Sequence, residues 1–184
     1  MTKFFKNLFR LIVIKTPWFI ILNYIKNFLP NYKSKNKSKI IEQQIYKNFS
    51  TIDQNHKWFC NNLNFLSSSF KDVISIKNIL EIGSYEGRSA IFFLNNFIYS
   101  NIHCIDTWSG SDEHDNFDFS VIEKNFDSNT STFQSNNRLK KFKMNSNEFF
   151  LSNSKKYDLI FVDGDHSSDQ VKIDIENSWK ILNK

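Results

Sequence analysis

Short apolar runs alternate with segments of helical periodicity from residue 78 to the end of the chain. The apolar runs predict four β-strands, at residues 78–82, 102–106, 139–144 and 157–162. The segments between and after them predict helices at residues 88–97, 147–151 and 168–182. Strands that alternate with helices run parallel and are joined by right-handed crossovers. The pattern therefore predicts an α/β fold, Rossmann-like, with a parallel sheet and flanking helices.

Two further stretches place apolar residues on one side of a helix. Residues 40–70 predict two leading helical pieces, the first with Ile41, Ile45 and Phe49 on one face. In the helix predicted at 168–182, one apolar face carries Val171, Ile175, Trp179 and Leu182. Such a face is typical of a helix that packs on a core.

The first 39 residues differ from the rest in pattern. Up to residue 14, apolar residues alternate with basic ones at helical spacing, which predicts an amphipathic helix. Polar and charged residues interrupt the next apolar block too often for a spanning helix, which needs roughly 20 mostly apolar residues. We expect residues 1–30 to contact an anionic membrane surface peripherally, or to pack on a partner or on the domain. Residues 31–39 predict a polar linker, so the predicted units are 1–39 and 40–184.

Charge follows the same division. Residues 1–40 hold nine basic residues and no acid, whereas the remaining 15 basic residues face 19 acids, a net charge of −4 for residues 41–184. This balance argues against a nucleic-acid-binding face on the domain. The two cysteines make no disulfide framework. A reducing cytoplasmic setting is expected, with the arm at the inner face of the membrane.

Three acids stand at the ends of predicted strands. They are Glu81, Asp106 and Asp163, and the loop after Glu81 contains Gly83 and Gly87. Ligands of parallel sheets lie beyond the carboxyl ends of the strands, where a carboxylate can accept both ribose hydroxyl hydrogens. The alternative is a tight turn and a helix cap without a ligand. Taken together, the acids and the glycine loop favour a nucleoside-binding site.

These motifs resemble those of class I S-adenosylmethionine-dependent methyltransferases over about residues 75–182. The similarity lies in EIGSYEGRS at 81–89, IDTW at 105–108 and FVDGDH at 161–166. In particular, it is similar to the branch of small-molecule and sugar O-methyltransferases. Tyr85 stands where the common pattern has its middle glycine. The family fold also continues with strands beyond residue 184, so the resemblance implies a C-terminally truncated domain.

The resemblance also implies a role for each motif residue. The pocket for the methionine part of the cofactor would be shaped by Glu81, Gly83, Ser84, Tyr85 and Gly87. Asp106 would hold the ribose hydroxyls with Trp108 nearby, and Asn145 and Ser146 would contact the adenine. Asp163 would lie beside the sulfonium and the acceptor.

The DGDH loop leaves three interpretations open. His166 is a candidate base for an acceptor hydroxyl. Asp163 with Asp165 is a candidate Mg²⁺ site that would lower the pKa of that hydroxyl. In the third interpretation, Asp165 and His166 only cap the following helix.

The acidic insert at 109–132 extends between two predicted strands. It is expected to be a solvated loop, with His114 as a weaker candidate for cation binding. Phe117, Val121, Ile122 and Phe126 are spaced for a short helix that would cover the cofactor site.

The leading functional hypothesis is O-methylation of a small, hydroxylated, sugar-like acceptor with S-adenosylmethionine as cofactor. A second hypothesis is a catalytically silent membrane-surface or interaction protein that keeps half of the fold. A nicotinamide-dependent Rossmann enzyme ranks third, because that class expects G-x-G-x-x-G where this loop has only Gly83 and Gly87. A small-molecule acceptor and a second copy of the chain are the expected partners.

Overall fold

The computed structural model describes residues 11–14, 32–52, 59–60, 63–70, 75–110 and 118–183. The strands within these ranges are β1 (Leu11–Ile14), β2 (Asn78–Ile82), β3 (Asn101–Asp106), β4 (Leu139–Lys143) and β5 (Leu159–Val162). The helices are α1 (Tyr32–Ile45), α2 (Leu63–Phe70), α3 (Arg88–Asn96), α4 (Phe119–Ser135), α5 (Ser146–Ser152) and α6 (Ser168–Ile181).

The strands form one sheet in the order β1-β5-β2-β3-β4. β5, β2, β3 and β4 are mutually parallel, so their carboxyl ends lie at one edge. The chain builds outward from β2 to β4 and then returns to place β5 on the other side of β2. This reversal opens a crevice beyond the ends of β2 and β5, where such folds bind ligands. The predicted parallel α/β sheet is confirmed.

The N-terminal predictions were wrong where the structure describes them. Residues 11–14 form a strand that pairs antiparallel with β5, with Leu11 opposite Val162 and Ile14 opposite Leu159. Four consecutive apolar residues suit a buried strand as well as a helix, and the open edge of β5 supplies backbone partners. Helix α1 spans 32–45, so the predicted boundary at residue 39 falls inside a helix. Residues 1–10 and 15–31 lie outside the described residues, and membrane contact stays a prediction.

Two apolar clusters fill the two faces of the sheet. The larger one is rich in phenylalanine, and Phe59, Phe93 and Phe161 meet edge to face at centroid distances of 5.4–6.2 Å. Ile41, Ile45 and Phe49 pack against this cluster, as predicted. The smaller cluster, around Tyr157, lies on the opposite face with residues of α5 and α6. No helix in the described parts of the chain is both long and apolar enough to cross a membrane.

The predicted buried face of α6 is only partly correct. Val171 and Leu182 are buried, but Trp179 is 63% exposed. The helix instead buries Asp174 and Ser178. Asp174 accepts a hydrogen bond from Gln170 Nε2 at 2.9 Å, which allows a carboxyl group to occupy a position that periodicity assigns to an apolar residue.

Candidate functional site

Three strand ends meet through their backbones at the carboxyl edge of the sheet. Gly83 N donates to Ile105 O and Asp163 N donates to Ile82 O, both at 2.8 Å. Gly83 has a φ of +84°, and a Cβ at this residue would lie 2.2 Å from Asp163 O. Any side chain would therefore collide with the neighbouring loop. Glycine at this position brings loop 83–87 into direct contact with loop 163–166.

The Asp106 carboxylate fixes the shape of loop 83–87. Its Oδ2 accepts hydrogen bonds from the backbone N–H groups of Ser84 at 2.9 Å and Tyr85 at 2.8 Å. Its Oδ1 accepts from Trp108 N at 2.8 Å. An ionised carboxylate offers about four acceptor positions, so one remains on Oδ1. Asp106 is thus a structural anchor as well as the predicted ribose ligand.

Tyr85 and Trp108 adopt left-handed backbone conformations, with φ of +48° and +46°. Such a conformation costs about 1–2 kcal/mol for a residue other than glycine. The indole Nε1 of Trp108 donates to Tyr85 O at 2.9 Å and holds the two residues together. The Trp108 ring packs on Phe126 at 4.8 Å between centroids, with the Lys141 ammonium 4.6 Å from its centre. Tyr85 therefore keeps the left-handed backbone that a glycine adopts without strain.

Glu81 is completely buried beneath this loop. Its Oε2 accepts a weak hydrogen bond from Cys104 Sγ at 3.4 Å. Glu81 Oε1 and Ser84 Oγ are buried and have no hydrogen-bond partner among the described residues. Burial raises the pKa of Glu81 to about 7, although the nearby hydroxyls of Ser89 and Ser84 and the Cys104 thiol act in the opposite direction. A carboxylate oxygen buried without a donor is rare in a folded protein, which makes Glu81 Oε1 a candidate for contact with a bound group.

Gly87 supports the loop from the other side. It begins α3 with a φ of +85°, and a Cβ there would lie 2.7 Å from Thr130 Cγ2 on α4. Sequence reasoning assigned Gly87 to the cofactor pocket, and that role stays a prediction. The structure gives it a packing role against α4 that no local pattern indicated.

Sequence reasoning missed a polar network that joins this loop to two other segments. Glu86 is only 3% exposed, and its Oε1 accepts from Ile52 N and Asn125 Nδ2, both at 2.8 Å. Asn129 Nδ2 donates to Glu86 O at 2.9 Å and to Ser50 O at 2.8 Å. Asn125 and Asn129 lie one turn apart on α4, and this spacing is the only signal in the sequence.

Asn145 and Ser146 follow β4 at the same edge of the sheet. Asn145 caps α5, its Oδ1 accepting from Glu148 N at 2.8 Å. Ser146 is buried and its Oγ accepts from Gln170 Nε2 at 3.1 Å. Met144 N donates to Asp106 O at 3.1 Å, which places this turn beside the end of β3. Adenine contact by the pair stays a prediction.

The DGDH loop brings an imidazole and a carboxylate together. His166 Nε2 lies 3.4 Å from Asp163 Oδ1, and the two side chains are 33% and 15% exposed. The interpretation that Asp165 and His166 cap the following helix was wrong, because Ser167 is the N-cap of α6. Asp165 Oδ1 accepts from Ser167 N at 2.8 Å, in a turn just before the helix.

Other predicted sites receive less support. Within the described ranges, no group of three or more His, Cys, Asp or Glu side chains could hold a metal ion. His114 and Phe117 lie outside those ranges. Helix α4 begins after them, and Ile122 and Phe126 belong to the core. Phe126 also packs on the Trp108 ring, and the role of this helix in covering the cofactor site stays a prediction.

A parallel sheet that reverses at β2, with a glycine loop and acids at its strand ends, defines a Rossmann-like nucleotide-cofactor fold. A family model described as a methyltransferase domain matches residues 80–184, which is more than half of the chain. The chain belongs to this methyltransferase-domain family.

Solved structures share the fold. A caffeoyl-CoA O-methyltransferase-type protein from Staphylococcus aureus aligns with a TM-score of 0.51 and 20% identity, over 90% of this chain and 67% of its own. An O-methyltransferase from Klebsiella pneumoniae aligns with a TM-score of 0.51 and 16% identity, over 87% and 65%.

A third similar structure is the O-methyltransferase TomG from Streptomyces achromogenes, involved in tomaymycin synthesis and solved with S-adenosylmethionine. It aligns with a TM-score of 0.50 and 11% identity, over 88% of this chain and 66% of its own. The chain thus spans about two thirds of the length of these proteins. No curated protein sequence matches it significantly.

Proposed function

We propose that this chain is the cofactor-binding part of an S-adenosylmethionine-dependent methyltransferase that methylates a hydroxyl oxygen of a small, sugar-like acceptor. Family membership supports methyl transfer. The names of the similar structures favour oxygen as the acceptor atom. The sugar-like class rests on the resemblance of the EIGSYEGRS and DGDH motifs.

The contact between Gly83 and the Asp163 backbone carries the proposal, since it brings the cofactor loop beside the Asp163–His166 pair. The residues at this contact fit the cofactor. The unpartnered Glu81 Oε1 suits the α-ammonium group of a methionine moiety, directly or through water. The remaining acceptor position of Asp106 Oδ1 suits a ribose hydroxyl.

S-adenosylmethionine supplies a methyl group that its sulfonium has already activated, so the protein has to align the acceptor and remove one proton. The acceptor oxygen bonds to the methyl carbon while the carbon–sulfur bond breaks, and its electron pair stays on sulfur. His166 takes the hydroxyl proton. With its Nε2–H directed to Asp163 at 3.4 Å, the Nδ1 lone pair serves as the base.

Calorimetric titration with S-adenosylmethionine tests the cofactor assignment. We expect saturable binding to the wild-type chain and its loss in Asp106→Ala, because that change removes two hydrogen bonds that shape the loop and one that holds Trp108. Glu176→Ala is the control: its carboxylate pairs with Lys172 on the exposed surface of α6 and contacts no residue of the site. Thermal melts of both variants separate a lost pocket from a lost fold. Saturable binding of NADH, with none of S-adenosylmethionine, would refute the assignment.

Release of S-adenosylhomocysteine in the presence of nucleotide sugars and free sugars tests the acceptor class. His166→Asn is expected to lower kcat by roughly 10²–10⁴-fold, the usual contribution of a general base. Its effect on S-adenosylmethionine affinity is expected to be small. The acidic limb of the pH–rate profile, which reports deprotonation of the base, is expected to disappear in this variant. An unchanged limb would assign the proton transfer to another group.

A further inference from the structure

A second cavity lies at the opposite edge of the sheet from the candidate cofactor site. Its volume is about 520 Å³, and it opens where β2, β3 and β4 begin. Its polar lining consists of Asn78, Asn101, His103, Asn137, Arg138, Lys140, Lys155 and Tyr157. This volume lies within the range of about 300–1,000 Å³ that is typical of small-ligand sites. None of these residues takes part in the proposed methyl transfer.

The cavity is positively charged. Three of its lining residues are cationic (Arg138, Lys140 and Lys155), and none is acidic. On the other face of the same edge strand, Lys141 and Lys143 are paired with Glu123 at 2.8 and 2.6 Å. Lys140 and Lys155 form no ion pair with any described residue. This concentration of unpaired positive charge stands out in a domain whose residues 41–184 sum to −4.

Part of the lining is held rigidly. The Arg138 guanidinium donates to Ser100 O at 3.1 Å, to Leu94 O at 2.8 Å and to Phe97 O at 2.9 Å. These bonds use Nε and Nη2, and the N–H groups of Nη1 donate to no group in the described ranges. His103 Nδ1 lies 2.8 Å from Tyr157 Oη, which fixes the imidazole beside Lys140. Donors that are already oriented lower the entropic cost of binding an anion.

We propose that this cavity binds a small phosphate-bearing metabolite, with its phosphate held by Lys140, Lys155 and the Nη1 edge of Arg138. A phosphomonoester carries about two negative charges near pH 7 and so matches three cationic groups better than a single carboxylate does. The cavity also has room for the organic part of the molecule. Because the site lies at the far edge of the sheet, its ligand does not compete with the cofactor.

Nuclear magnetic resonance of the histidine ring signals tests the proposal on the full chain. The chain has only four histidines, and a His103→Gln variant identifies the signal of His103. Burial first, then Lys155 and Lys140, lower the pKa of His103 to about 4. A bound anion would favour the charged imidazole and move this pKa upward. The probes are inorganic phosphate and ribose 5-phosphate, with ribose as the neutral control, at constant ionic strength.

We expect a saturable shift of the His103 signal with both phosphates and none with ribose, with tighter binding of ribose 5-phosphate. The double variant Lys140→Gln/Lys155→Gln is expected to weaken binding at least roughly tenfold, through loss of two charge-assisted hydrogen bonds. The control Lys124→Gln/Lys172→Gln removes the same charge elsewhere and should bind as the wild type does. Equal weakening in both double variants, or no saturable shift, would overturn the proposal. S-adenosylmethionine titration of the same variants should be unaffected, which keeps this test separate from the proposed function.

Discussion

Replacing Glu81 by glutamine removes a charge from the interior of the candidate site and leaves the size of the side chain almost unchanged. The carboxyl group is completely buried, and one of its oxygens has no partner among the described residues. Without a cofactor, an ionised Glu81 therefore opposes folding. The neutral amide should relieve this penalty, since it resembles the protonated acid.

The magnitude follows from the pKa. Burial raises the pKa of Glu81 from 4.5 to about 7, and each pKa unit corresponds to about 1.4 kcal/mol. The folded state thus favours the protonated form. Below pH 4.5 the carboxyl is protonated in both the folded and the unfolded state, so it does not lower the free energy of unfolding. Between pH 4.5 and 7 the free energy of unfolding falls progressively as pH rises, because the carboxyl ionises in the unfolded state before it does so in the folded state. Above pH 7 the wild-type chain should be roughly 3 kcal/mol less stable than Glu81→Gln.

Thermal unfolding of the two proteins from pH 4.5 to 8.5, followed by circular dichroism, measures this difference. The Tm values of the two proteins should coincide near pH 4.5 and separate with increasing pH. For a domain of this size the expected separation at pH 8 is roughly 6–12 °C in Tm. Glu176→Gln, on the exposed surface of α6, is the matched control and should follow the wild type throughout.

A separation that does not change with pH would refute the reasoning, because it would show that Glu81 has the same charge in both states. A variant less stable than the wild type at pH 8 would show that the carboxylate has a compensating partner. Binding should change in the opposite direction to stability. If Glu81 receives the ammonium group of the cofactor, Glu81→Gln should weaken S-adenosylmethionine binding at pH 8 by roughly tenfold or more, from the loss of one charge-assisted hydrogen bond.

Two further predictions concern the loop itself. Gly83→Ala should abolish S-adenosylmethionine binding and lower Tm, because the new Cβ would lie 2.2 Å from Asp163 O at a φ of +84°. Gly164→Ala is the control, since a Cβ there would lie 3.4 Å from its nearest neighbour, Ile82 Cγ2. Equal effects of the two substitutions would contradict the proposed loop contact. Asn129→Ala removes hydrogen bonds to Ser50 and Glu86 and should cost about 1–3 kcal/mol in chemical unfolding while raising the Kd for S-adenosylmethionine. Asn95→Ala, at an exposed residue of α3, loses only a bond to Ile91 O and should leave that Kd unchanged.

The parallel sheet could be predicted from sequence because its central strands β2 and β5 are mostly apolar and buried. In β5, all four residues from Leu159 to Val162 are buried, and a strand covered on both faces has that composition. The acids at the strand ends could be placed for a related reason. Once strands are parallel, the residues that follow them must gather at one edge, so Asp106 and Asp163 were expected near the glycine loop.

Features set by tertiary contacts could not be predicted in this way. The run Leu11–Ile14 suits either a strand or a helix, and only the available edge of β5 decides between them. On α6, periodicity favoured Trp179 over Asp174 for burial, but Gln170 stabilises the buried carboxyl through a hydrogen bond. The network of Glu86 with Asn125 and Asn129 joins residues about 40 positions apart, and no local pattern encodes such pairs.

The loop after β2 shows why glycine motifs predict a site only in part. Its shape depends on backbone hydrogen bonds from Gly83 to Ile105 and on the Asp106 carboxylate, which holds Ser84 and Tyr85 by their N–H groups. Glycine is indispensable at Gly83, where a Cβ would meet the Asp163 backbone. At Tyr85 the same left-handed conformation is required, but these bonds can offset a strain of about 1–2 kcal/mol. A departure from the common pattern at residue 85 is therefore compatible with an intact cofactor loop, whereas a departure at residue 83 is not.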